Sequence, residues 1–172
     1  MNIILRKLEL GDEQAFKRAY DEFQETNFQF SHPLNPSQPF QDYLRFIADL
    51  EDTRKIPADR VPSTFMCAFL GDEIVGRVSI RHGLSVYIRE VGGHIGYGVV
   101  PRFRGLGVAK MILSQSLDFC RSMGLKDVLL TCDEDNIPSY RSIEALGGVF
   151  ERHCADVGDG VKKRRYWIKS GD

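Results

Sequence analysis

The segment Gly93-His94-Ile95-Gly96-Tyr97-Gly98-Val99-Val100-Pro101-Arg102-Phe103-Arg104-Gly105-Leu106-Gly107-Val108-Ala109 decides how the chain is built. Its first half is a β-branched and aromatic run broken by glycines, its middle a proline-containing loop, and its end a Gly-x-Gly turn opening a long apolar-periodic stretch. The order is strand, loop, helix. First-turn N–H groups of a helix have no intrahelical acceptor and lie at the positive end of its dipole, and glycines there let a ligand approach the backbone. Such a corner binds phosphate or pyrophosphate without a lysine. A P-loop would need Gly-Lys-Ser/Thr, which Gly107-Val108-Ala109-Lys110 does not supply. A Rossmann turn would need Gly or Ala where Lys110 stands, inside alternating strands and helices.

The upstream strands are joined by short turns instead. Residues 64–70, Gly71-Asp72 and residues 74–81 form an antiparallel hairpin pattern, and residues 94–100 give the next strand of a meander after a loop over 83–92. Downstream, the helix from Gly105 places Leu106, Ala109, Leu113, Leu117 and Cys120 on one face and closes near Gly124. Residues 127–132 return as a strand, and the strand-helix-strand order predicts that it runs parallel to 94–100. Residues 133–139 carry polar caps and an early proline, predicting a helix that runs through Tyr140, Ile143 and Leu146 to Gly147-Gly148. Gly158-Asp159-Gly160 between residues 149–157 and 161–168 is a hairpin signal, and Lys162-Lys163-Arg164-Arg165 reads as its solvated arm.

At the other end, residues 2–8 read as a strand, followed by Asp12 as cap of a helix that buries Ala15, Phe16, Ala19 and Phe23. His32-Pro33, Pro36 and Pro39 interrupt, and Phe40, Tyr43, Leu44, Ile47 and Leu50 form a second helix. The irregular, aromatic-rich stretch between about Asp21 and Ser63 is a candidate substrate wall, with Phe28, Phe30 and Phe40 either lining it or packing on the sheet.

Bulk properties narrow the function. A chain of 172 residues suffices for one core and is short for two, so residues 1–172 are read as a single domain. Lys plus Arg number 23 against 24 Asp plus Glu, leaving −1 and no field to recruit nucleic acid or an acidic membrane. Cys67, Cys120, Cys132 and Cys154 have no zinc-ligand spacing, and no metal is expected. The first seven residues are too short an apolar run for a signal peptide, and no stretch approaches ~18 apolar residues. A cytoplasmic protein is expected.

Val99, Pro101, Arg104, Gly107 and Ala109 resemble the coenzyme A loop of the GNAT superfamily of acyl-CoA-dependent N-acyltransferases, whose pattern is Arg/Gln-x-x-Gly-x-Gly/Ala after a strand ending Val-x-Pro. Asn136, Ser139, Glu144, Leu146 and Gly147 match a second family segment, and the resemblance spans about residues 64–150. It implies an α/β fold with a mixed, mostly antiparallel sheet of about seven strands, one splayed parallel pair and about four helices. The implied cosubstrate is acetyl-CoA, with the pyrophosphate on the N–H groups of Gly105, Leu106, Gly107, Val108 and Ala109, Arg104 fixing the turn, and pantetheine along Val99 and Val100. A backbone N–H near Val100 would polarise the thioester carbonyl.

The implied acceptor is a small-molecule or peptide amine. An alkylammonium, with a pKa near ~10, must lose a proton before it can attack. His94 matches the strand position where relatives carry a glutamate base, and strand alternation puts it on one face with Gly96 and Gly98; Glu90 is the reserve. Ser139 matches the hydroxyl that meets the coenzyme sulfur, and with Asn136 it completes the expected cofactor contacts. The pattern breaks at Ile143, where many members carry a tyrosine acid. That break keeps an alternative open, a CoA-binding sensor or interaction domain without catalysis. A homodimer through the terminal strands is a further expectation.

Overall fold

Side-chain alternation along the hairpin at 63–81 sorts the molecule into two layers. In the computed structural model, which describes residues 1–24, 38–155 and 160–170, strand β2 (Ser63–Leu70) sends Phe65, Cys67 and Phe69 to one face and Met66 and Ala68 to the other. The first face is covered by α1 (Glu13–Gln24) and α2 (Phe40–Asp49), whose Phe16, Ala19, Phe23, Phe40, Tyr43 and Ile47 are buried on it. The second is covered by α4 (Val108–Ser122), which buries Val108, Ile112, Leu113, Leu117 and Cys120, and by Ile143 of α5 (Ile137–Glu144).

Strand β1 (Ile3–Arg6), β2, β3 (Glu73–Arg81) and β4 (Ile95–Val99) form an antiparallel sheet in chain order. Strand β5 (Asp127–Asp133), β6 (Val149–Ala155) and β7 (Lys162–Lys169) form a second antiparallel sheet, ordered β5-β7-β6. The expected parallel ladder between β4 and β5 is absent among the described residues. The sheets meet at one isolated antiparallel bridge, Gly93 with Leu130, and then separate.

Other departures are local. Asp12 does not cap α1: it ends a 3-10 turn (Leu10–Asp12), accepts the Glu9 N–H at 2.7 Å and pairs with Arg6 at 2.7 Å. The loop expected over 83–92 contains a fifth helix, α3 (Val86–Val91), with Ser85 Oγ accepting the Ile88 N–H at 3.3 Å. Leu106 lies exposed before α4 instead of on its buried face, because the helix starts at Val108. The basic run on β7 is spent in pairs: Lys162 with Glu134 at 3.1 Å, Lys163 with Asp133 at 2.7 Å, and Arg165, only 3% exposed, with Glu151 at 2.7 Å. Arg165 also donates to the Arg89 and Glu90 carbonyls and ties α3 to the second sheet. Phe28, Phe30, His32, Pro33, Pro36, Gly158 and Asp159 lie outside the described residues.

Candidate active site

The Gly-x-Gly corner has the backbone an anion needs. Gly105 and Gly107 have φ of 76° and 79°, a left-handed conformation that side chains resist, and Gly107 is the residue that opens α4. The first N–H bonded within α4 is that of Met111, to Gly107 O at 3.3 Å, so the N–H groups of Val108, Ala109 and Lys110 have no intrahelical acceptor. A Cβ at Gly105 or Gly107 would meet nothing within 4 Å, and Arg104 to Gly107 are exposed, so the corner is open to a ligand. Arg102 is spent on Glu22 and Glu73, at 2.7 and 3.2 Å, and Arg104 turns back to donate from Nε to Val99 O at 3.2 Å.

Strand register decides which main-chain groups face the gap between the sheets. Val100 N–H donates to Val75 O at 3.0 Å, on the β3 side, and Val100 is fully buried. Backbone groups alternate along a strand, so the N–H and C=O of Tyr97 and Val99 point the other way, into the gap. The Val100 N–H is thus taken by β3, and the nearest outward-facing N–H is that of Val99.

His94 closes the base of the gap. Its N–H donates to Leu129 O at 2.7 Å, and its Nδ1 accepts the Leu129 N–H at 2.9 Å. That second bond defines the tautomer: Nδ1 carries the lone pair that Leu129 uses, and Nε2 carries the proton. Burial, then the charges of Arg81 and Arg89, push its pKa below the usual histidine value. Thr131 Oγ1 adds a bond to Val91 O at 2.8 Å. Glu90 sits on exposed α3, where Arg152 Nη2 donates to it at 2.6 Å and holds its carboxyl below the ordinary range.

Across the gap, Tyr97 OH and Ser139 Oγ lie 3.1 Å apart, joining β4 to the first turn of α5. Asn136 caps that helix by accepting the Ser139 N–H at 3.2 Å, which leaves the serine hydroxyl for Tyr97. Cys132 of β5 lies close to the same hydroxyl; burial pushes its thiol up to about 11. Ile143 is fully buried in the core and Tyr140 lies under the Arg164 guanidinium, 4.5 Å from its ring centroid. Tyr97 is the hydroxyl that motif matching missed. Its alternation, opposite to His94, Gly96 and Gly98, was the available signal.

On the opposite face of β4, a Cβ at Gly96 would lie 4.0 Å from Nη1 of both Arg77 and Arg81. Next to it opens a cavity of about 730 Å3, lined by Ser79 and Arg81 of β3, by Leu50, Ile56 and Val61 between α2 and β2, and by α3. Two layers of helix and a divided sheet thus place an open amide corner at the mouth of the gap.

The chain belongs to the Acetyltransferase (GNAT) family, whose model matches residues 16–147. Mycothiol acetyltransferase of Thermomonospora curvata is 35% identical over 82 residues, which are 48% of this chain and 27% of that protein; the chain thus spans under a third of the curated relatives it matches. Ribosomal-protein-S5-alanine acetyltransferase from Vibrio fischeri has the same fold, with a TM-score of 0.75 at 14% identity over 100% of this chain and 95% of that one. A putative acetyltransferase from Salmonella typhimurium, solved with acetyl-CoA, superposes with a TM-score of 0.64 at 15% identity over 99% and 95% of the two chains.

Proposed function

We propose that the protein is an acetyl-CoA-dependent N-acetyltransferase that passes the acetyl group directly to a primary amine of a small molecule or peptide. The observation that carries this is the set of unbonded first-turn amides of α4 beside an open gap in the sheet. The amides of residues 105–110 receive the diphosphate, with the dipole of α4 behind them. Pantetheine runs into the gap along the outward groups of Tyr97 and Val99, and the Val99 N–H faces the thioester oxygen, where negative charge grows during attack. Arg104 competes for Val99 O, so it swings away or shares that carbonyl when the arm enters.

The amine approaches along the Gly96 and Gly98 face of β4, beside the Arg77 and Arg81 guanidiniums. Deprotonation is assigned to water on this face. His94 offers no free lone pair while Leu129 N–H holds Nδ1, and Glu90 is engaged by Arg152. His94 is thus a positioning residue that sets the width of the gap. The Tyr97–Ser139 pair is placed to return a proton to the departing thiolate, taking the part of a tyrosine at position 143. Release of free thiol from acetyl-CoA, followed with a panel of amino acids, dipeptides, polyamines and aminoglycosides, tests the proposal. Turnover of at least one amine is expected. Tight acetyl-CoA binding with no turnover on any amine would favour the non-catalytic sensor instead.

A further inference from the structure

The cavity beside Gly96 carries a charge that nothing in the described residues balances. Arg81 is half-buried on β3 and uses Nη1 on two carbonyls, Gly92 O at 3.3 Å and Gly93 O at 2.9 Å. Among the described residues no carboxylate pairs with it, and burial alone pulls its pKa down. His94, which borders Arg81, stays neutral. At the rim, exposed Asp59 and Arg60 carry opposite charges and cancel, which leaves Arg81 as the fixed charge of the cavity.

A half-buried guanidinium bonded only to neutral carbonyls keeps fork donors for an anion, and a planar fork fits carboxylate or phosphate oxygens two at a time. Polyamines are the wrong partner, because a second ammonium would be pushed toward Arg81. We infer that the cavity between β3, α3 and the α2–β2 connection binds an anionic group of the acceptor, so the substrate is an amine that also carries a carboxylate or a phosphate. The neighbouring surface suits a short peptide or amino-acid derivative. Ser79 and Ser63 offer hydroxyls at the floor, and exposed Tyr87 and Val86 of α3 form an apolar lip.

This inference rests on the amine-acetylating function proposed above, and the experiment separates the two. Glycylglycine and its C-terminal amide, O-phosphoethanolamine and ethanolamine, and putrescine are compared as acceptors for the wild type, Arg81→Gln and Arg81→Lys. In parallel, N-acetylglycylglycine and its amide are titrated calorimetrically into protein saturated with CoA. The wild type is expected to favour the anionic member of a pair by about 10- to 100-fold in kcat/KM, the weight of one buried charged hydrogen bond. Which pair shows it identifies carboxylate or phosphate. R81Q brings the ratio toward one and R81K retains part of it. Equal use of acid and amide, a preference for putrescine, or an undiminished ratio in R81Q overturns the inference while leaving the acetyltransferase proposal standing. If no amine is turned over, that proposal falls, and tighter binding of the free acid than of its amide still upholds the anion site, whereas equal binding ends it. If R81Q fails to bind CoA, it has misfolded, and the wild-type ratio together with R81K decides.

Discussion

Replacing His94 by asparagine and by alanine separates a base from a clamp. Asparagine sets Oδ1 near the position of Nδ1, so it accepts the Leu129 N–H but cannot take up a proton near neutrality. Alanine removes the acceptor and leaves a buried amide unsatisfied beside Leu129, which is itself fully buried. Leaving such a donor unpaired costs about 1–3 kcal/mol, to be read from urea unfolding of His94→Ala; His94→Asn should lie within about 1 kcal/mol of wild type. Activity should follow the same order, with H94N within a few-fold of wild type and its pH–rate profile unchanged, since the acid limb belongs to the amine. Loss of a general base would instead lower kcat by about 10²–10⁴ in both variants and move the acid limb. That pattern, equal in H94N and H94A, would refute the clamp.

The same histidine links stability to pH. Its folded pKa lies below that of the unfolded chain, near ~6.5, so the unfolded state binds more protons below that value. Stability is therefore complete above about pH 6.5 and falls as pH drops toward the folded pKa, by at most about 1.4 kcal/mol per pH unit, with a shallower slope in H94N. His82 adds to it, since burial lowers it too. Gly93→Ala should be far more damaging than Gly107→Ala in thermal unfolding: at φ 67° a Gly93 Cβ would stand 2.6 Å from Leu129 O, whereas Gly107 has open space and pays only the left-handed penalty of about 1–2 kcal/mol. Tyr97→Phe and Ser139→Ala should each slow thiol release, and the double variant should be no slower than the worse single one, because both break one bond. Independent, additive losses would separate the two hydroxyls. Cys120 and Cys132, pushed up to about 12 and 11 by burial, should resist disulfide reagents at pH 8 until the chain is unfolded.

What could be seen from the chain alone was local. The amide corner, the β2–β3 hairpin and the capped start of α5 are each written within a few adjacent residues, where turn chemistry and helix-end amides act without help from the rest of the fold. Helix α3 escaped because six residues show no apolar period and Val86 and Tyr87 face outward. That the Val99 N–H faces outward while the Val100 N–H is taken by Val75 O depends on which carbonyl of β3 each amide meets, a matter of register between strands. Arg165 looked like part of a solvated run because its partners, Glu151 and the carbonyls ending α3, come from distant segments. His94 shows the same limit. Its face was readable, but its bond to Leu129 comes from closure against β5 and changes what the ring can do. Arg81 shows it too: the missing counter-charge appears only when the elements around it are assembled.

Amide NMR of the protein titrated with acetyl-CoA addresses the grip on the diphosphate most directly. The largest shifts are expected at the N–H groups of residues 105–110 and at Val99, and pantetheine, which lacks the diphosphate, should leave residues 105–110 unmoved. Saturable acetyl-CoA binding with those amides unshifted, or with pantetheine moving them equally, would contradict recognition by the helix corner.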